Sequence, residues 1–105
     1  MIRFNNLEEM KPFYNVETNT YEFIENDEWL DVEFTFYLCV DANITARNIK
    51  ALNIDAWDID AWDIDAGDIE FYAVCFAYES FKCKSVKGTR ENAKYFCLDN
   101  EIEFI

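Results

Sequence analysis

The feature that most constrains this chain is a five-residue period across residues 44–69. It reads Ile44-Thr-Ala-Arg-Asn, Ile49-Lys-Ala-Leu-Asn, Ile54-Asp-Ala-Trp-Asp, Ile59-Asp-Ala-Trp-Asp and Ile64-Asp-Ala-Gly-Asp, and the next position is again isoleucine, Ile69. A fixed short period marks a solenoid, in which each unit buries its apolar side chains only against neighbouring units. A helix does not accommodate it, because successive isoleucines would rotate by about 500° at 3.6 residues per turn. On an extended segment, Ile and the Ala two residues later point to one face, and the residue between them points out. The next two residues, such as Trp57 and Asp58, must then turn a corner. A repeat of this kind supplies a surface, and a surface binds.

The flanks are read in the same way. Residues 6–11 predict one short helical turn, with Asn6 as cap and Pro12 as stop. Residues 21–24 predict a strand and 25–28 a turn. Leu30, Val32, Phe34, Phe36, Leu38 and Val40 alternate with polar residues as one half-buried strand. Beyond the repeat, Phe71, Phe76, Phe81 and Val86 continue the period with a shift of phase, and their larger size predicts a wider or closing coil. Residues 95–98 and 101–105 flank Asp99-Asn100 and predict a terminal hairpin. The expected fold is all-β: a helix-turn and β-hairpin cap over 1–41, a short β-solenoid over 42–88 and a C-terminal hairpin over 89–105.

Ten Phe, six Tyr and three Trp supply enough bulky core to predict a folded 105-residue chain despite a net charge of −13. Two Gly and one Pro leave the turns to Asn and Asp. The charge is uneven. Residues 1–70 hold 17 acidic and 4 basic side chains, whereas 71–105 hold 5 of each. Such a field repels nucleic acid and anionic membranes and favours partners with basic grooves. No apolar run is long enough to span a membrane, and the N-terminus lacks the basic-then-apolar order of a signal peptide, so a cytoplasmic protein is expected. Cys39, Cys75, Cys83 and Cys97 form no C-x-x-C pair and the chain has no His, which argues against zinc. The thiols are expected to be reduced and mostly buried, although spacing alone is compatible with a Cys75–Cys83 disulfide.

The Asn or Asp before each central Ile (Asn48-Ile49, Asn53-Ile54, Asp58-Ile59, Asp63-Ile64, Asp68-Ile69) resembles the repeat of the pentapeptide-repeat proteins. That resemblance implies a right-handed, four-sided β-helix. Its small residue, however, usually lies two before the central apolar one. Here Leu52, Trp57, Trp62 and Gly67 occupy that place and the Ala lies two after. A four-sided coil would set Trp57 over Ala77, and a three-sided one would set it over Tyr72. At four sides the repeats make only slightly more than two coils, too few to bury their own ends. The repeat is also similar to those of phage and mobile-element proteins of AT-rich bacteria.

Asp55, Asp58, Asp60, Asp63, Asp65, Asp68 and Glu70 give seven acids in 16 residues with no base. They fit a solvated outer face, a protein-binding surface imitating nucleic-acid phosphates, or a cation site. The last is disfavoured because calcium needs six to eight converging oxygens, whereas acids on successive faces diverge. Trp57 and Trp62, at corner positions, either pack on a neighbouring coil or serve as interface anchors. The basic run Lys82 to Lys94 suits a solvated face or an acidic partner copy better than nucleic acid. With no His and no Gly-rich phosphate loop, no catalytic constellation is present in the sequence, and no enzyme activity, metal or cofactor is expected.

The expected function is therefore that of an acidic inhibitor that binds another protein by mimicking nucleic acid. Some pentapeptide-repeat proteins inhibit a DNA-handling enzyme in this way. The resemblance thus implies a phage- or plasmid-encoded anti-defence factor, acting in the host cytoplasm on a basic-grooved nuclease or topoisomerase. The expected contacts are Asp55, Asp58, Asp60, Asp63, Asp65 and Asp68, with Trp57 and Trp62 as anchors. The alternative is a structural or oligomerising solenoid, and a homodimer through the solenoid ends fits either reading.

Overall fold

β-Branched isoleucine at every fifth position favours extended backbone, and the repeat forms long, bent strands. A computed structural model describes residues 1–105. The chain is a β-solenoid of about four turns, built almost wholly from parallel pairings. Asn43–Ala56, Ile59–Phe71 and Val74–Cys83 are its central strands. Ile44 pairs with Ile59, Ile49 with Ile64 and Ile54 with Ile69, each fifteen residues on. Three five-residue units thus complete one coil, and each unit is one side of it. The four-sided cross-section implied by the pentapeptide resemblance is not found. Paired isoleucines lie fifteen residues apart and not twenty, and the flanking Val32-Glu33-Phe34 segment, which lacks the Ile-x-Ala order, stacks on the same second side.

Each side is a column of strands. The first stacks Thr20–Glu22, the 43–46 segment, 59–61, 74–77 and Lys94–Cys97. The second stacks Ile2–Phe4, Asp31–Phe34, 48–51, 63–66, 80–83 and Glu103–Phe104. The third stacks Leu38–Cys39, 53–56, 68–71 and Ser85–Gly88. The core runs up the axis as ladders of like residues, such as Ile44–Ile59–Cys75 and Ala46–Ala61–Ala77. All 23 buried residues are apolar, and the one buried side-chain oxygen without a hydrogen-bond partner is Asn48 Oδ1, at the start of the second side.

The flanks differ from the sequence expectation in three ways. The alternation over 30–40 is not one strand. It breaks into Asp31–Phe34 on the second side and Leu38–Cys39 on the third, with the corner at residues 35–37. Alternation reports which side chains face the core, and it continues through a corner without a mark. The N-terminal hairpins are correspondingly small, pairing Tyr14–Asn15 with residues 20–21 and Ile24–Glu25 with Glu28–Trp29. The expected C-terminal hairpin does not form. Lys94–Cys97 and Glu103–Phe104 both pair parallel to Val74–Cys83, on different sides. The same two-apolar-runs pattern serves a hairpin and a solenoid corner equally well. Past the repeat the phase shifts as expected, but Phe76 does not follow the inward set: Cys75 and Ala77 point inward and Phe76 outward, and an irregularity between Ala77 and Ser80 lengthens the coil so that Ile64 pairs with Phe81.

The two ends are unlike. At the N-terminal end, a 3-10 helix over Leu7–Phe13 lies across the coil and buries Met10. Asn6 caps it, accepting from the Glu9 N–H at 3.2 Å, and Pro12 sits within its last turn. Beneath it, the Phe23 ring lies 5.3 Å from both Phe4 and Phe13 and 5.7 Å from Phe34. At the other end, Tyr95, Phe96, Leu98, Phe104 and Ile105 are exposed. Left-handed turns fall at Asn19, Asn26, Asp27 and Asn92, and at no glycine, as the composition implied.

Gly67 departs from the bulky corner residues of the other units for a steric reason. A Cβ there would fall on the carbonyl oxygen of Leu52, one coil below. Gly67→Ala is expected to destabilise the fold by about 1–3 kcal/mol, as overpacking does, read as a lower urea midpoint at unchanged slope. An unchanged midpoint would mean that the backbone there yields freely.

Candidate functional site

The acids of the repeat occupy two kinds of position. Those directly before an Ile begin a side, and their carboxylates bind the next coil. Ser80 Oγ donates to Asp63 Oδ1 and Ser85 Oγ to Asp68 Oδ1, both at 2.7 Å. The Val74 N–H donates to Asp58 Oδ1 at 3.0 Å, while the Asp58 N–H donates to Asn43 Oδ1 at 3.2 Å. This Asn/Asp column therefore links coils at the corners. It is the local reason for the residue type, since a short side-chain oxygen reaches the neighbouring coil where a strand begins.

The acids between Ile and Ala point outward at mid-side, and each side treats them differently. On the second side, Arg3, Glu33, Lys50, Asp65, Lys82 and Glu103 follow one another on successive rungs, with alternating sign after the Arg3–Glu33 ion pair at 3.2 Å. Opposite charges on adjacent strands support the sheet. At its edge, Arg47 grips Asp31 through two bonds of 2.8 and 2.7 Å, which holds the Asp31 carboxyl below its usual range. On the third side the order is Cys39, Asp55, Glu70 and Lys87. Asp55 and Glu70 are direct neighbours of like sign, with Asp68 beside Glu70, and neither enters an ion pair. On the first side, Asp60 stands alone between Thr45 and Phe76, and burial pushes its carboxyl pKa up.

The expected contact residues are thus divided. Asp55 and Asp68 lie on the third side, Asp58 and Asp60 on the first, and Asp63 and Asp65 on the second. They form a belt around the coil, and no three His, Cys, Asp or Glu side chains come together to hold a metal ion. The two tryptophans stand at the corners flanking the first side. Trp57 packs on Tyr72 at 6.1 Å and Trp62 on Tyr78 at 5.9 Å, yet they remain 44% and 49% exposed. They are at once coil-packing residues and accessible aromatic surface. Around them the structure gathers Trp29, Tyr72, Phe76, Tyr78 and Phe96, and Phe76 stacks on Phe96 at 5.3 Å. Sequence reading missed most of this group. The fifteen-residue offset from Trp57 to Tyr72 was the usable signal, whereas Trp29 reaches the face from the small hairpin and carries none.

No protein-family model, curated protein or solved structure matches the chain.

The four cysteines are free. Cys75 and Cys83 are buried in the core, and burial pushes both thiols up, away from reactive thiolate. Cys39 is exposed on the third side next to Asp55, where desolvation and that negative neighbour also raise its thiol. No helix is long and apolar enough to cross a membrane.

Proposed function

We propose that this chain acts by binding rather than catalysis, as an acidic ligand that occupies the nucleic-acid groove of a basic protein. The observation that carries this reading is the third side. Asp55 and Glu70 project from adjacent rungs, about 4.8 Å apart as neighbouring strands are, with Asp68 alongside and Trp57 and Tyr72 at the shared corner. Like charges facing each other across a sheet oppose folding, and a basic groove would relieve that opposition. Exposed aromatic anchors beside charge are typical of interface centres. We further read the repeat as an atypical, three-sided form of the pentapeptide type. A nuclease or topoisomerase of a host under attack by a mobile element is the target class this reading favours.

Asp55 and Glu70 are the informative positions, because reversing Asp58, Asp63 or Asp68 would also break inter-coil hydrogen bonds. Replacing Asp55 and Glu70 together with lysine should weaken capture of a nucleic-acid-binding protein by roughly tenfold or more. Wild-type capture should be displaced by duplex DNA and should fall steeply with salt. Capture that survives the double reversal, or that DNA does not displace, would reject the proposal.

A second reading, an oligomerising module, is supported by the exposed apolar side chains of the last coil, among them Tyr95, Phe96 and Leu98. Its signature in light scattering would be self-association insensitive to salt.

A further inference from the structure

The first side holds a second feature, separate from the acidic third side. Trp29, Thr45, Ala46, Asp60, Trp62 and Tyr78 line a surface pocket of about 180 Å³. The lining includes three aromatic side chains and one carboxylate, and no base. Asp60 takes part in none of the chain's ion pairs, and its rung neighbours, Thr45 and Phe76, offer no positive charge. Arg47 precedes Trp62 by one coil on the same corner, but its guanidinium is committed to Asp31 through two hydrogen bonds. A half-buried carboxylate without a partner costs free energy that a docked cation would recover. Aromatic faces around it add cation–π attraction.

We propose that this pocket receives the guanidinium of an arginine on the partner protein, stacked on Trp62 and Tyr78 and paired with Asp60. Arginine fits better than lysine because its planar, weakly hydrated head both stacks on rings and meets a carboxylate. The chain carries an internal precedent at the opposite corner of the same side, where the Arg90 guanidinium lies 6.0 Å over the Tyr72 ring. The inference rests on the reading of the chain as a ligand for basic proteins. It adds a side-chain specificity that the acidic belt alone would not have.

The test needs no partner. Blocked arginine (acetylated and amidated) is titrated into the protein while the three tryptophan indole N–H resonances are followed. Trp62 and Trp29 should shift saturably and Trp57 should stay in place. Asp60→Asn should weaken binding by roughly tenfold, the scale of one lost charge-assisted contact. Asp65→Asn removes the same charge from the second side and should leave binding within about twofold. Equal losses in the two variants, equal binding of blocked citrulline, blocked lysine or tetramethylammonium, or no saturable shift at all would each overturn the proposal. If arginine binding is lost in Asp60→Asn but capture of a basic protein persists, the pocket fails as the contact and the broader function stands. If arginine binds as described and no basic protein is captured, the broader function fails alone.

Discussion

Replacing Ile59 with alanine should cost roughly 2–5 kcal/mol, the range for truncating a fully buried isoleucine. Ile59 is fully buried, with Ile44 on the coil below and Cys75 on the coil above. A solenoid has few alternatives for filling such a gap, because each ladder position touches mainly its own coil and the two neighbours. Against a typical domain stability of about 5–15 kcal/mol, the loss is a large fraction. Leu52→Ala provides the contrast. Leu52 stands at a corner and is 65% exposed, so its truncation should stay within about 0.5 kcal/mol. Urea unfolding followed by circular dichroism measures both. Similar midpoint shifts for the two variants would mean that the inward ladder does not carry the fold.

The second large effect belongs to the N-terminal cap. Phe23→Ala should destabilise by roughly 3–5 kcal/mol. Phe23 is fully buried and its ring meets those of Phe4, Phe13 and Phe34, so truncation loses burial and several ring contacts together. The 3-10 helix and the first strands would lose their common support. Amide hydrogen exchange should therefore show lost protection at Phe4 and Phe34 before the 59–71 coil. Phe104→Ala, on the last coil, should change stability by less than about 1 kcal/mol in the monomer, since that ring is more than half exposed. A cost for Phe104→Ala as large as that for Phe23→Ala would reveal that the C-terminal end is covered in solution.

The period was fully legible in the sequence because it records which residues face inward, and that depends only on local extended geometry. Ile44, Ile49, Ile54, Ile59, Ile64 and Ile69 are all buried, as their spacing implied. The number of sides was not legible in the same way. It depends on how sharply each corner bends, and a five-residue unit is compatible with three or four. Pairing partners of the flanks were hidden for a related reason. Residues 95–98 and 101–105 alternate as hairpin strands do, but an apolar face already exists on Val74–Cys83, and both segments add to it instead. For the candidate site, the acid positions were readable and their differences were not. The repeat places Asp60 and Asp65 at outward mid-side positions and Asp63 and Asp68 at corners, but only the fold shows that the corner carboxylates bind a serine on the next coil.

The fifteen-residue register carries a consequence for how such a chain can change over generations. Because one unit is one side, gain or loss of a single unit would carry every later residue one side around the axis. Tyr78 would no longer stand over Trp62, and Lys82 would no longer stand over Asp65. Gain or loss of three units together would restore the alignment and alter only the length. The molecule is therefore free to vary in whole coils, and each side can hold its own surface chemistry through such changes.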